Sequence, residues 1–478
     1  MNVRRTTWLA ISGAFALTLA LAALTYRDGR RLTFDGYHYC ELAKQFTTTW
    51  PDRFGNHWPF GYPLAGALLA RVGLPAFESL VLVSAGALLV LFALAARVLT
   101  SHPLRFPVLA ALGAAPVVAV QFFGVLTELP FAAALLALAI CLAHWPARAA
   151  IWGAAACAVL ALTIRYAGVI APAVLAFWIP WRWRDLVKTR RHWETLGAAL
   201  AAAAVSGGLL LLNVLKAGHA SGAGRGAARG LADLPRELAD FGWSAPSALI
   251  AGGVRDRIGF DTPLGLLFGT LAFGGLASLC AWSWLRPRSD CSRPLALTAF
   301  AFATGMGVLH CIGDFDALHN ARTFLPVLFP LGLLAAERCS TRRNWLVLGC
   351  AALLASGTTA ALRGISRQVG GDVRLAVAPL QARLRPGERI AINDHAFSLS
   401  AYVDQPTTRV WSEYWTENNP ERFVVIAAQP RDRTGGGELT AEWRAVLARA
   451  VAAGAYRYLV ESPSLFVLEK TPAARPES

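Results

Sequence analysis

Charge is what this chain of 478 residues has least of. Only 16% of its residues are Asp, Glu, Lys or Arg, where a soluble protein carries roughly 25%. That shortfall excludes an ordinary water-exposed globule. Acidic residues are the scarcer sign, 30 against 45 Lys and Arg, for a formal net charge of +15. The eight cysteines form no C-x-x-C and no Cys/His zinc spacing, so they carry no zinc-site signature. A Cys40–Cys311 disulfide is one open pairing. The polar C-terminal part has no G-x-G-x-x-G or G-K-[ST] loop at a strand–helix junction, so it carries no phosphate-cradling signature. No convincing internal repeat is present. A carrier built from inverted repeats would show one.

What the chain has in abundance is apolar length. Hydrophobic residues make up 55%, and the mean hydropathy is +0.45. Apolar runs recur up to residue 362. A membrane-spanning helix needs about 20 mostly apolar residues. The runs at 7–24, 78–99, 106–124, 128–144, 149–164, 166–181, 194–216, 262–285, 294–312, 322–337 and 343–362 read as about eleven spans. A cleaved signal peptide is the rival reading of residues 1–24. The stretch 60–74 is short and ends at Arg71, so it reads as a helix at the membrane interface.

The basic residues set the orientation. Arg4 and Arg5 precede the first run. Arg97, His102 and Arg105 follow the second, and Arg148 sits between two others. The gap WRWRDLVKTRRHW at 181–193, the trio Arg286, Arg288 and Arg293, and the trio Arg338, Arg342 and Arg343 all fall on the same side of an eleven-span chain. Cytoplasmic loops collect Lys and Arg, which puts the N-terminus inside. The same distribution accounts for the positive charge without nucleic acid, since no exposed basic–aromatic patch is present. Outside lie a loop at 25–77, a short one near 125–127, a long one at 217–261, another at 313–321, and the tail from 363.

The tail has a different texture. RIAIND at 389–394, RFVVIAA at 422–428, YRYLVE at 456–461 and LFVLEK at 465–470 read as strands. TAEWRAVLARAVAAG at 440–454 reads as an amphipathic helix ending at Gly454, and TGGGE at 434–438 as a turn. Residues 363–478 are thus expected to form a small α/β domain outside the membrane, large enough for its own core.

Four charged residues stand at outer helix ends. Asp35 opens FDGYHYCELAKQF; it is either a chemical group or a helix N-cap. Glu128, in VLTELPF, has almost no loop around it. It reads as functional or as a snorkelled interface residue. Arg165 in TIRYAG and Arg322 in LHNARTFLPVLFP complete a set of two carboxylates and two arginines. Arginine suits a phosphate because its guanidinium is a fixed fork of donors. His57 and Tyr62 in HWPFGYP, and His319 beside Arg322, are candidate sugar or phosphate contacts, with interface packing as the alternative for the first two.

An acidic residue soon after the first helix, an aromatic-rich segment and PFGYP together resemble the first outer loop of the polytopic GT-C glycosyltransferases, family 39-like, which include protein O-mannosyltransferases and lipid A aminoarabinose transferases. TELPF and the segments around Arg165 and Arg322 resemble that class's later outer motifs. One departure is that Asp35 is followed by Gly36, where many relatives have a second acid. The resemblance implies a GT-C-like domain over 1–362, with its catalytic loop at 25–77, and an extracytoplasmic domain over 363–478. It implies a polyprenyl-phosphate-linked sugar as donor, a cell-envelope glycan, lipid or protein as acceptor, membrane lipids around the chain, and transfer with inversion at the outer face of a bacterial inner membrane. Asp35 would act as base and Glu128 as a second catalytic carboxylate that orients the acceptor or a phosphate-binding Arg, with Arg165 and Arg322 on the donor phosphate. No cofactor is implied, and divalent metal dependence is left open. The rival classes are a transporter or lipid-handling carrier, and an assembly protein working through its tail.

Overall fold

A computed structural model describes residues 3–27, 30, 32–48, 58–100, 102–220, 230–250, 262–313, 320–339, 343–363, 373–415, 420–428 and 439–471. The chain opens with α1 (Val3–Thr25), then α2 (Phe34–Thr48), α3 (Gly61–Ala70) and α4 (Ala76–Val98). Next come α5 (Arg105–Ala114), α6 (Pro116–Phe123), α7 (Glu128–Ala143) and α8 (Arg148–Ile164). A 3-10 turn at Tyr166–Val169 leads into α9 (Ile170–Trp181), then α10 (Trp183–Lys188), α11 (His192–Ala217) and α12 (Leu234–Leu249). The helical part ends with α13 (Pro263–Leu285), α14 (Ser292–Ile312), α15 (Ala321–Arg338) and α16 (Arg343–Arg363).

Every expected span coincides with helix. Among the described residues, α1, α4, α11, α13, α14 and α16 are long and apolar enough to cross a membrane. The pair α5 and α6 makes a seventh if taken as one span bent by 60°, and Pro116 at the start of α6 accounts for the break. The remaining expected spans are shorter or carry more charge. Of these, α7 is buried on nearly every side, so neighbouring helices rather than lipid cover it.

The expected outer loop at 217–261 is not simply a loop. It contains α12, an amphipathic helix of 16 residues. Its Glu237, Asp240 and neighbouring acids and Arg lower the hydropathy, which hides the helix from a search for apolar runs. Its inward face, with Ala239, Phe241 and Trp243, joins the bundle. There Gly242 and Gly269 let α12 and α13 meet backbone to backbone: a Cβ at Gly242 would lie 2.0 Å from the Gly269 carbonyl oxygen. Glu237 is buried against His310 of α14, with Oε2 2.5 Å from Nδ1.

The C-terminal part is a five-stranded sheet of order β2-β1-β3-β5-β4. The strands are β1 (Ile390–Ile392), β2 (Thr407–Arg409), β3 (Phe423–Ala427), β4 (Tyr456–Ser462) and β5 (Leu465–Lys470). β1 runs parallel to β2 and β3, whereas β5 is antiparallel to β3 and β4. Two helices complete it, α17 (Arg374–Gln381) and α18 (Ala441–Ala452), the latter ending just before Gly454. β2 and α17 are additions to the sequence expectation; the expected turn at 434–438 lies outside the described residues.

Alternation along β3 assigns its two faces. Val424 and Ile426 pack with Trp443 and Leu447 of α18. Phe423, Val425 and Ala427 share a core with Tyr37, Tyr39 and Cys40 of α2 and with Tyr62 of α3. The sheet therefore docks on α2 through a common core. Polar contacts pin the same interface: Lys44 donates to Glu41 (2.9 Å), Ser400 Oγ (3.0 Å) and the Gln405 carbonyl (3.1 Å), and Glu41 accepts from the Thr407 amide at 2.8 Å. Cys40 and Cys311 are both free thiols, and the Cys40 Sγ faces the Ser400 carbonyl at 3.5 Å.

Candidate active site

Thr33 caps α2: its hydroxyl accepts from the Gly36 amide at 3.2 Å, and its carbonyl from the Tyr37 amide at 2.9 Å. This removes the capping role from Asp35, two residues later. The Asp35 carboxylate instead accepts from Nη1 of Arg322. Arg322 is the second residue of α15, a helix capped by Asn320, whose side chain accepts from the Arg322 amide at 3.3 Å.

Gly36 explains how α2 comes so close to the helix ends beneath it. A Cβ there would lie 2.2 Å from the Gly124 carbonyl oxygen. A second acid at this position would collide with backbone. The second carboxylate comes instead from the segment that Gly36 touches. Val125 takes φ +47°, a strained value for a β-branched residue, and the turn it makes delivers Glu128 as the first residue of α7. Strain of this kind persists where the surroundings enforce it, commonly at functional sites.

Glu128 is 1% exposed and its Oε1 accepts from Nη1 of Arg165. Arg165 lies between α8 and the 3-10 turn, with extended backbone at φ −145° and ψ 140°. The other Glu128 oxygen, Oε2, is buried with no hydrogen-bond partner among the described residues. A buried carboxylate oxygen is costly unless it is hydrogen-bonded.

The two ion pairs belong to one electrostatic neighbourhood. Burial pushes the Asp35 carboxyl above its ordinary range; Arg322 opposes that shift, Glu128 adds to it, and Arg165 opposes it. The Tyr39 hydroxyl, one helical turn from Asp35, is raised by burial and feels Arg165, Asp35 and Glu128 together. Sequence reasoning passed over Tyr39, although its i+4 spacing from Asp35 puts both on one face. An aromatic shelf flanks the site. His38 stacks on Trp58 (centroids 5.1 Å apart), and Phe34 meets His38 edge-on at 4.5 Å.

Of the other candidates, Tyr62 is turned inward. Its ring is buried and its hydroxyl bonds the Leu80 carbonyl (3.1 Å) and Ser84 Oγ (2.9 Å), which makes it a packing residue between α3 and α4 rather than a ligand contact. His57 and His319 lie outside the described residues. Among the described residues, no group of three or more His, Cys, Asp or Glu side chains is placed to hold a metal ion.

No protein-family model matches the chain, and no curated protein matches its sequence. Solved structures do match. The crystal structure of ArnT from Cupriavidus metallidurans bound to undecaprenyl phosphate aligns with a TM-score of 0.59 at 12% identity, covering 98% of this chain and 99% of that one. The apo state of the same protein gives 0.57 at 13% identity, over 99% and 100%. The Archaeoglobus fulgidus oligosaccharyltransferase in complex with Zn and sulfate gives 0.51 at 13%, over 96% of this chain and 73% of that one. At such identities the likeness is one of fold. The chain is a polytopic helical membrane protein of GT-C architecture, with a small C-terminal sheet.

Proposed function

We propose that this protein is an integral-membrane glycosyltransferase. It moves a sugar from a polyprenyl-phosphate donor to a cell-envelope acceptor, outside the cytoplasmic membrane and with inversion. The observation that carries this reading is the convergence of Asp35, Glu128, Arg165 and Arg322. Four distant segments bring two carboxylates and two arginines to one end of the helix bundle. Buried ion pairs are weak contributors to stability, because desolvation offsets their attraction. Two such pairs side by side are better explained by chemistry. The architecture shared with a structure that holds undecaprenyl phosphate supports the donor class.

In this mechanism Asp35 takes the proton from the acceptor hydroxyl as its oxygen attacks the anomeric carbon. The bond from that carbon to the phosphate oxygen breaks, its electron pair stays on the phosphate, and the polyprenyl phosphate leaves. A single displacement inverts the centre. A buried carboxyl raised above its ordinary range is a stronger base than a solvated one, closer to the working pH. Arg322 both orients Asp35 and faces the leaving phosphate, since its planar fork can serve a carboxylate and a phosphate together. Arg165 adds positive charge where negative charge develops. Glu128 holds Arg165 in place, and its second oxygen is positioned to accept from the acceptor or sugar.

In the proposed arrangement, residues 1–362 carry the chemistry and 363–478 form an outer domain, with the N-terminus inside. The basic residues support that direction. Arg97, Arg288 and Arg338 lie at the bundle end opposite Asp35, where Arg97 meets His144 at 3.2 Å and Arg288 donates to the Glu337 carbonyl at 2.9 Å.

The test is transfer by purified protein from polyprenyl-phosphate sugars, compared with Asp35→Asn. That change keeps size and polarity but removes the base. Transfer should fall about 100-fold or more, with the protein folded and the donor still bound. Full turnover by Asp35→Asn would remove the base from the mechanism. Movement of lipid or solute by the wild type without sugar transfer would favour a carrier.

A further inference from the structure

The C-terminal sheet carries a pocket that the chemistry above does not use. It opens at the carboxyl ends of the parallel strands β1 and β2, with a volume of about 360 Å³. The chain leaves β1 toward β2 and leaves β3 toward the opposite edge. Ligands of open α/β sheets bind outside the carboxyl ends of the strands, and here the lining comes from the segments that follow β1 and β2 and from α18. Asn393 fixes the floor by bonding both the amide (2.9 Å) and the carbonyl (2.7 Å) of Ala427, which locks β1 to β3. After β2 the chain makes one helical turn through WSEYW, with the Trp415 amide on the Trp411 carbonyl at 2.9 Å. That turn buries Trp415 and leaves Trp411 and Tyr414 48% and 75% exposed at the rim. Trp443 of α18 also lines the pocket.

We infer that this pocket binds the sugar units of a glycan acceptor, through the faces of Trp411 and Tyr414 and the polar groups between them. Flat aromatic faces match the C–H faces of a pyranose. Asp394, His395, Ser412 and Glu413 supply the acceptors and donors that hydroxyls require. The charges argue against a phosphate ligand. The lining holds two carboxylates, and the nearby Arg409 is already paired with Asp394. Burial keeps His395 below its ordinary pKa, and so neutral near pH 7. The site suits neutral or amino-bearing sugars. A peptide adding as a strand at β2 is disfavoured, because that strand has three residues and its Thr407 amide is held by Glu41.

The pocket is joined to the proposed catalytic helix. The Arg409 guanidinium lies 4.7 Å from the Trp411 ring centroid and 5.1 Å from that of Phe34, the residue before Asp35. An acceptor glycan seated on Trp411 could extend past Arg409 to the Asp35 end of α2. The inference rests on the transferase reading and names its acceptor class.

The test uses the full-length protein in nanodiscs. Binding of mannotetraose, cellotetraose and chitosan tetramer is measured by calorimetry, beside mannose 6-phosphate and an unglycosylated hexapeptide. At least one oligosaccharide should bind, and Trp411→Ala and Tyr414→Ala should each weaken it about tenfold. Both residues are exposed, so the fold should survive; circular dichroism checks this. With a polyprenyl-phosphate sugar as donor, the same variants should raise the acceptor KM and leave kcat within about twofold. Failure of all three oligosaccharides, preference for the phosphosugar or the peptide, or unchanged affinity in both variants overturns the glycan site. If the wild type uses no polyprenyl-phosphate donor yet binds oligosaccharide through these residues, the transferase reading falls and the glycan site stands.

Discussion

Asp35 sits between burial, which favours its protonated form, and Arg322, which favours its charged form; burial is the larger influence. The direction has a kinetic consequence. A base must be ionised to accept a proton, so transfer should decline as pH falls through the raised Asp35 value. In a pH–rate profile of kcat/KM, the acid limb should lie above the ordinary carboxylate range near pH 4. An acid limb at that ordinary value would mean that Asp35 titrates as a solvated group. The arginines are separable by a gentler change. Arg322→Lys keeps the charge but loses the fork, so kcat should fall by about tenfold or more while donor affinity changes less. Arg165→Ala should lose at least as much. Retention of full kcat by both variants would place the leaving phosphate elsewhere. These four candidates stood out in the sequence because a charge is conspicuous at the end of an apolar run, and the structure brings them together. Tyr62 was not, because an interfacial aromatic reads the same whether it faces a ligand or a core. Only the geometry shows its hydroxyl bonded to Leu80 and Ser84.

The elements position these residues through close approach. Without a side chain, Gly36 lets α2 rest on the Gly124 carbonyl, which sets Asp35 against Arg322 and brings it near Glu128. Gly36→Ala introduces a clash with backbone, which cannot rotate away. Such overpacking costs about 1–3 kcal/mol, and a shift of about 1 Å at the reacting group can cost roughly 100-fold in rate. The variant should therefore lose far more turnover than thermal stability, as read by transfer assay and melting temperature side by side. Turnover and melting both near wild type would show that α2 can move without consequence. The long apolar helices were readable from hydropathy alone. α12 was not, because its charges mask an inward face, and β2 was not, because three residues of Thr and Arg carry no strand periodicity. Both are held by tertiary contacts, α12 by its crossing with α13 and β2 by Glu41 of α2.

At the scale of the molecule, the sheet and the helical bundle share a core across α2. The sequence suggests a tail with its own interior, and α18 with the outer sheet face supplies part of one. The other sheet face has no such independence, since Phe423 and Val425 pack with Tyr37 and Tyr39. That docking was illegible because it depends on which face of α2 turns outward. The proposed orientation of the whole rests on the basic residues gathered at the far end. A periplasmic reporter fused at residue 400 should be active and a cytoplasmic one silent; the reverse would invert the topology and put the Asp35 end on the wrong side for the proposed donor.

The central claim is a displacement at an anomeric carbon, and its stereochemistry tests it most directly. Purified protein is incubated with a polyprenyl-phosphate sugar of known anomeric configuration and an oligosaccharide acceptor, and the new linkage is assigned by NMR from the first turnover. The account predicts a product of inverted configuration, formed by the wild type and at least about 100-fold more slowly by Asp35→Asn. A product of retained configuration, or no sugar transfer from any polyprenyl-phosphate donor, would contradict it.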